Sequence, residues 1–475
     1  MKKNSNSHTH EPHPEPAETG MRRQKDFTQG SVAGNIFRIA GPMTLALLVN
    51  VLYSVVDRMY IGRIPVEGTL ALTGIGLAFP IIILISAFQS LVSSGGPPLF
   101  AIANGQGDRE EAAKIQGNAF TTLILLGLTL TVFGYIFKVP ILRATGADAS
   151  TLPYADAYLD YYLLGTVPVM ISLGMNPFIN AQGFAKTGMI TIIIGALLNI
   201  ILDPIFIFVF DMGVRGAAIA TVISQSVSAL WVVYFFTSKN TSLRIRLQHL
   251  KPDRSIITRM MTLGVTGFTA QATNSAVGMV YNNMLSHLGG TIWVSAMTVI
   301  SSLREILYMP IQGITSGAQP VLGYNYGAGK YDRVRTGIRI MTFTTLGFNL
   351  VIWLLLMLIP GGFVRIFNND PALLTAGSGA IQIFYSMLPF MSFQMAGQAT
   401  FVGLGQTRYA IFFSLFRKLF LVIPLALVLP RIGGLGVRGV FLSEPVSDIV
   451  GGLACYITMY IVVYKRLGKG LDLRS

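Results

Sequence analysis

The chain is poor in charged residues and in cysteine. Lys, Arg, Asp and Glu together form 12% of its 475 residues, whereas a soluble domain carries about a quarter. With Cys455 as the single cysteine, an intrachain disulfide is excluded, and the apolar run around it favours a small packing residue. A Gly-rich nucleotide loop ending in Lys-Ser/Thr is also missing, which argues against an ATP-binding motif in this chain.

Apolar residues, by contrast, make up 52% of the chain, and the mean hydropathy is +0.59. A helix crosses a bilayer with roughly 20 apolar residues and satisfies its own backbone hydrogen bonds there. The runs do not alternate as strands of a membrane barrel would. We therefore predict an all-α integral membrane protein with twelve transmembrane helices. The predicted spans are 35–62, 71–103, 115–137, 157–181, 188–210, 214–238, 259–287, 292–324, 335–360, 380–402, 409–429 and 436–464.

The basic residues predict the topology. With the N-terminus in the cytoplasm, the inside segments hold 24 Lys and Arg and the outside loops hold 7, the bias expected of a multi-pass protein. We predict a bacterial inner (cytoplasmic) membrane location with both termini cytoplasmic. The net charge of +14 then belongs to the lipid bilayer surface, and no nucleic-acid partner is expected. Residues 1–30 are predicted to be a disordered cytoplasmic tail and 466–475 a second cytoplasmic tail.

Short motifs recur at a nearly constant distance along the chain. The repeated pairs are 105–107 with 327–329 and Gly183/Lys186 with Gly405/Arg408, both shifted by 222, and 213–216 with 436–439, shifted by 223. They predict two pseudo-symmetric six-helix lobes, 31–238 and 259–465, joined by a cytoplasmic linker, 239–258. Because each lobe has an even number of spans, the repeats should be parallel, with substrate bound near the midplane between them.

Ionisable residues inside spans cost about 2.5–3.5 kcal/mol on insertion scales, so each is a functional hypothesis. In the first lobe, Asn199 and Asp203 are four residues apart on one helix face, and Pro204 should bend that helix. Together with Asp57 and Thr221 they predict an oxygen-rich site for H⁺ or Na⁺. The structural alternative is that Asp57 pairs with the adjacent arginine and that Asp203 caps a kink.

The second lobe does not repeat this cluster. At a shift of 223, Asp57 corresponds to a valine and Asp203 to an alanine, whereas Thr221 corresponds to Glu444. Glu444 and Asp448 lie four residues apart on one helix face. With Glu305 they are candidates for attracting a cationic substrate in the cavity. The alternative is an internal salt bridge with Arg304, Arg417 or Lys418.

Four motifs together resemble the multidrug and toxic compound extrusion (MATE) family over roughly residues 30–465. They are Val56-Asp57 followed by Gly62, NIILDP at 199–204, GAAIAT at 216–221 and QPVLGYNYGA at 319–328, the last similar to the MepA-like bacterial branch. The resemblance implies two lobes around a V-shaped cavity. It also implies a membrane transporter for multidrug efflux, an antiporter without cofactor that exports xenobiotic organic cations, including antibiotics, by alternating access in exchange for H⁺ or Na⁺.

In that family an Asp in span 1, an Asn and an Asp in span 5 and a Thr in span 6 form a cation site. These roles fall on Asp57, Asn199, Asp203 and Thr221. The resemblance assigns Tyr161, with the adjacent Tyr162 as the alternative, to the span-4 tyrosine that borders the site. The chain departs from the pattern in two places. Arg58 stands where many relatives have a Thr, and Asn282 and Asn283 stand where some members carry a span-7 glutamate.

Two rival functions have distinct requirements. A lipid-linked saccharide flippase would need a cavity rich in basic groups for pyrophosphate, and only four Lys or Arg fall within the predicted spans. A membrane-embedded enzyme would need a nucleophile–base pair or a metal constellation there, yet no histidine lies well inside a span. The sequence therefore favours a transporter that is not an enzyme.

Overall fold

The structure is a computed structural model that describes residues 26–64, 68–239 and 241–473. Most of the predicted N-terminal tail, residues 1–25, lies outside the described residues. Within the described ranges the chain is helical and forms no strand. The first helices α1 to α6 are Val32–Gly62, Gly68–Gly105, Arg109–Ala144, Leu152–Ala181, Ala185–Val209 and Gly213–Thr237. The helices α7 to α12 are Arg254–Gly289, Thr291–Gly327, Tyr331–Leu358, Pro371–Phe384 with Leu388–Gly403, Thr407–Arg431 and Val437–Gly468.

These twelve segments follow the twelve predicted spans in order. Ten of them are long and apolar enough to cross a membrane, and α10 adds an eleventh as a pair of helices bent by 49°. The remaining helix, α7, is 36 residues long but carries polar side chains such as Gln271 and Asn274, which line an internal cavity. The hydropathy of α7 is lower than that of the other spans because the side of α7 that faces the cavity carries polar residues.

Glycines explain why the repeated motifs recur. Each marks a chain reversal where the backbone takes a positive φ, which side chains other than glycine rarely adopt. The equivalent positions in the two lobes have similar angles: Gly107 at 82° and Gly329 at 67°, Gly183 at 86° and Gly405 at 67°, Gly213 at 53° and Gly436 at 50°. The internal repeat predicted from the sequence thus corresponds to a repeated backbone, and the two-lobe fold is confirmed.

The hydrophobic core is divided in the same way. One cluster draws on residues between Ile61 and Met260, a second on residues between Val277 and Phe441. A third cluster joins the lobes, because it combines Phe27, Ile36 and Ile102 with side chains of the last six helices. The exact lobe boundaries stay a prediction.

The lobes meet closely at one end. A Cβ at Gly264 of α7 would overlap the carbonyl oxygen of Leu91 in α2, and one at Gly95 would overlap the carbonyl of Met260. Glycine therefore permits backbone contact between the lobes there. Toward the opposite end of the lobes, the side chains of Leu52 in α1 and Met279 in α7 are 63% and 72% exposed. The lobes consequently converge at the end that carries the α2–α3 and α8–α9 loops.

Candidate functional site

The structure brings the four predicted cation-site residues of the first lobe together. The Asn199 side-chain amide donates to Asp203 Oδ1 at 3.1 Å and to Thr221 Oγ1 at 3.3 Å. The carboxyl groups of Asp57 and Asp203 lie within hydrogen-bonding reach of each other. Asp203 is fully buried and Asn199 is 2% exposed. Three helices, α1, α5 and α6, thus place two acids, an amide and a hydroxyl in one cluster.

Several oxygens of this cluster have no partner. Asp57 Oδ1, Asn199 Oδ1 and Asp203 Oδ2 are buried and accept no hydrogen bond from any described residue. Unpaired polar atoms in an apolar interior are costly, and two adjacent carboxylates repel each other when both are ionised. A shared proton or a small monovalent cation relieves both costs. The unpaired atoms of the cluster are all oxygens, and oxygen ligands suit H⁺ or Na⁺.

Local sequence explains how the cluster is built. In α5 the regular helix reaches Pro204, and the winding changes to a π-helix over Ile205–Val209. Proline removes a backbone donor, and π segments are frequent at functional sites. The small residues at the start of α6 let the two helices touch: a Cβ at Gly216 would lie 2.6 Å from the backbone of Phe206. This contact brings Thr221 to Asn199.

The aromatic neighbours differ from the prediction. The resemblance predicts Tyr161, or Tyr162, at the border of the site. The structure instead places Tyr53 and Tyr158 beside the carboxylates, so that both interact electrostatically with Asp57 and Asp203. Tyr161 packs, partly buried, against the core of the first lobe. Tyr53 lies four residues before Asp57 on the same helix. This spacing places both side chains on one helix face, so it could have predicted Tyr53 as a neighbour of the site.

Arg58 does not neutralise Asp57 by a direct ion pair. Its side chain is exposed, and its guanidinium lies over the ring of Phe79, 4.8 Å from the centroid. Among the described residues it forms no ion pair within 4.0 Å. The structural alternative, in which Asp57 and Arg58 simply pair, is therefore not the arrangement present.

The predicted acids of the second lobe lie in ion pairs. Oε1 of Glu444 accepts from Arg417 and from Lys418, each at 3.1 Å. Arg304 approaches the same oxygen at 3.3 Å, and Arg417 also pairs with Asp448 at 2.5 Å. Glu444 and Asp448 are 4% and 3% exposed. This set of five side chains, here named the second-lobe cluster, is the salt-bridge arrangement that the sequence left open as the alternative.

A cavity of about 680 Å³ lies between the lobes. It is lined by α1, α2, α4 and α5 of the first lobe and by α7, α8, α10 and α11 of the second. Many lining side chains are amides, among them Asn50, Gln271, Asn274, Gln312, Gln394 and Gln398. Its charged lining residues in the described part of the chain are Arg417 and Lys418. Sequence reasoning treated these two only as partners for acids.

None of the three predicted cavity acids is part of this lining. Glu444 and Asp448 lie behind Arg417 in the second-lobe cluster, to which they are bound. Glu305 is exposed on α8 and forms no ion pair with a described residue. Attraction of a cationic substrate by these acids stays a prediction that the lining does not support.

One face of α1 connects the cavity to the cation-site cluster. Met43, Ala46, Leu47 and Asn50 line the cavity at helical spacing. Asp57 follows Asn50 by seven residues, two turns further along the same face. A change in the packing of α1 at Asp57 therefore moves residues that line the cavity.

Comparisons with known proteins agree with this architecture. The family model MatE matches residues 42–205 and 268–428, one segment in each lobe. The chain is 25% identical over 454 residues to the multidrug export protein MepA of Staphylococcus haemolyticus (strain JCSC1435), covering 94% of this chain and 97% of that protein. A structure of a multidrug resistance MATE family transporter in an outward-facing conformation has a TM-score of 0.87 and 23% identity, covering 96% and 100% of the two chains. A MATE structure in a bent conformation has a TM-score of 0.88 and 24% identity, covering 94% and 99%.

Proposed function

The chain belongs to the MATE family of membrane transporters, and we propose that it is a secondary active antiporter that exports organic cations and other drugs in exchange for H⁺ or Na⁺. The observation that carries the proposal is the group of unpaired buried oxygens at Asp57, Asn199 and Asp203. A transporter driven by an ion gradient needs a buried site that binds that ion reversibly. This cluster supplies one, on the same helix that lines the cavity.

Coupling follows from the packing of α1. Without a proton or Na⁺, the carboxylates of Asp57 and Asp203 repel each other, which favours separation of α1 from α5. Binding of either ion removes the repulsion and draws the two helices together. Because α1 also presents Leu47 and Asn50 to the cavity, its repacking shrinks the cavity and expels the substrate. Alternating access then results from the lobes rocking around this site.

The direction of transport follows from the topology proposed for the inner membrane, with both termini in the cytoplasm. The end at which the lobes meet, near Gly95 and Gly264, is the end at which the sequence places the cytoplasmic loops. We therefore take this conformation as open to the outside. In it, Asp57 and Asp203 receive the incoming ion, and the substrate leaves.

Amide oxygens in the cavity support recognition of a cationic group. Gln394 and Gln398 donate their side-chain nitrogens to backbone carbonyls of α11, at 3.4 Å and 2.7 Å. Their Oε1 atoms, and Oδ1 of Asn180, accept no hydrogen bond from a described residue. These three oxygens are themselves buried. The amides that line the cavity with exposed side chains are Gln271, Asn274 and Gln312, and their oxygens suit N–H donors of an amphipathic amine or amidine. They bind it less strongly than a carboxylate would, which permits release.

The test is ion-driven efflux from liposomes. Purified protein is reconstituted, and efflux of ethidium is followed while a proton gradient or a sodium gradient is imposed separately. We expect one gradient to drive efflux in the native chain and neither to drive it in Asp57→Asn. Asp211→Asn is the matched control, because Asp211 is exposed at a turn with φ 51°, a conformation that Asn tolerates. Full coupled efflux in Asp57→Asn would refute the proposal.

A further inference from the structure

The cavity has a basic wall on its second-lobe side. Arg417 and Lys418 line it, although both are 8% exposed. They are consecutive residues, and neighbours in an α-helix point about 100° apart. Here they lie in a π-helical segment, Phe416–Val422, and π segments are frequent at functional sites. Both cations line the same cavity.

The second-lobe cluster carries more positive than negative charge. Three cations, Arg304, Arg417 and Lys418, share two acids, Glu444 and Asp448. One positive charge is therefore left without a counterion among the described residues. Arg304 is the most exposed member, at 30% of its side chain, whereas Arg417 and Lys418 are buried with the two acids. The charge of the whole cluster is therefore positive beside the cavity.

Glu444 already accepts donors at both of its carboxylate oxygens, and Asp448 accepts one from Arg417. Three cations converge on Oε1 of Glu444, and Oε2 accepts from the hydroxyl of Tyr281 at 2.9 Å. Arg417 uses only Nη1 for its ion pairs, so Nε and Nη2 donate to no described residue. Lys418 uses its ammonium for one bond, to Glu444. Donors therefore remain on both side chains that line the cavity.

We propose that Arg417 and Lys418 bind one anionic group of the exported molecule, a carboxylate or a phosphate. The inference rests on the proposed function, because it names the substrate class of the same cavity. With exposed amide side chains at Gln271 and Gln312 and basic donors at Arg417 and Lys418, the cavity matches an amphipathic zwitterion better than a simple cation. Arginine and lysine bound to an anion form charge-assisted hydrogen bonds, which are among the strong ones.

The test compares two dyes that differ at one group. Rhodamine 110 carries a free carboxylate beside its xanthylium cation, and rhodamine 123 is its methyl ester. Binding to the purified full chain is measured by fluorescence anisotropy, with no ion gradient present. We expect rhodamine 110 to bind about tenfold more tightly, as for one charge-assisted hydrogen bond. Equal affinity for the two dyes overturns the proposal.

Variants at Lys418 test whether the basic wall causes the tighter binding of rhodamine 110. Lys418→Gln leaves two cations and two acids in the cluster, so the balanced charge favours a folded protein. It should reduce the preference for rhodamine 110 to less than twofold, whereas Lys418→Arg should keep it. An undiminished preference in Lys418→Gln contradicts the proposal. Because no gradient is used, a failure here is separate from a failure of ion coupling in the efflux assay.

Competition then identifies the source of the anion. Octyl phosphate represents a soluble anionic amphiphile, and dioleoyl phosphatidic acid represents a lipid headgroup. Displacement of rhodamine 110 by octyl phosphate supports a soluble zwitterionic or anionic substrate. Displacement by phosphatidic acid alone supports the same site with a lipid as its ligand. Failure of both to displace the dye, or equal displacement in Lys418→Gln, overturns the anion site.

Discussion

The two lobes share a backbone and differ in the charge they bury. The first lobe places two acids, Asp57 and Asp203, side by side with unpaired oxygens. The second holds its acids, Glu444 and Asp448, under an excess of cations. Equivalent glycines reverse the chain at equivalent points in both. A repeated fold therefore fixes where side chains lie, and the side chains alone decide which sign of charge is in excess in each lobe.

Removing an acid should expose the largest difference between the lobes. Glu444→Gln leaves three cations with one acid, and breaking a buried ion pair in this way costs about 3–5 kcal/mol. Asp203→Asn removes an acid whose Oδ2 has no partner, so it should leave stability unchanged or raise it. Thermal unfolding in detergent, compared with the native chain, measures both. Equal destabilisation by the two variants would contradict the view that Glu444 stabilises the fold through ion pairs while Asp203 does not.

The contact between the lobes should be the next most sensitive feature. A methyl group at Gly264 would overlap the carbonyl of Leu91. Gly264→Ala should therefore hold the lobes apart and lower efflux more than tenfold. Overpacking of this kind should also destabilise the protein by about 1–3 kcal/mol. Gly278→Ala is the control on the same helix, because its Cβ would meet no atom within 4 Å. Efflux that is equal in the two variants would show that lobe closure is not required.

A single hydroxyl should have a smaller effect, confined to the first lobe. Thr221 Oγ1 accepts a hydrogen bond from the Asn199 amide at 3.3 Å. Loss of one hydrogen bond costs about 0.5–1.5 kcal/mol of free energy. Thr221→Val should therefore raise the ion concentration for half-maximal efflux by about three- to tenfold. Thr221→Ser keeps the hydroxyl and should behave like the native chain. A valine variant with unaltered ion dependence would remove Thr221 from the site.

The smallest effect is expected at Arg58. The side chain is exposed and rests on Phe79 without a direct ion pair to Asp57. Arg58→Thr should consequently change stability by about 0.5 kcal/mol or less, as for other surface substitutions, and efflux by less than about twofold. A large loss of coupling in this variant would mean that Arg58 does control the charge of Asp57.

Helix number and the pairing of Asn199 with Asp203 were within reach of the sequence because both depend on local spacing. Apolar runs report the spans, and the four-residue spacing of Asn199 and Asp203 puts them on one face. Tyr158 was missed in favour of Tyr161, because the rotation of α4 against α1 depends on packing between helices. The saturation of Glu444 was also undecidable, since its partners lie 26, 27 and 140 residues away in the chain.

By itself the sequence determined that the chain spans the membrane, that it is a duplicated six-helix unit, and that its first lobe buries acids. These follow from hydropathy, from repeated glycines and from the cost of charge in lipid, all of which act residue by residue. Only the tertiary structure decided which charges neutralise one another and which face the cavity. Pairing depends on distances between helices far apart in the chain, and those distances left Arg417 and Lys418, instead of Glu444 and Asp448, at the cavity wall.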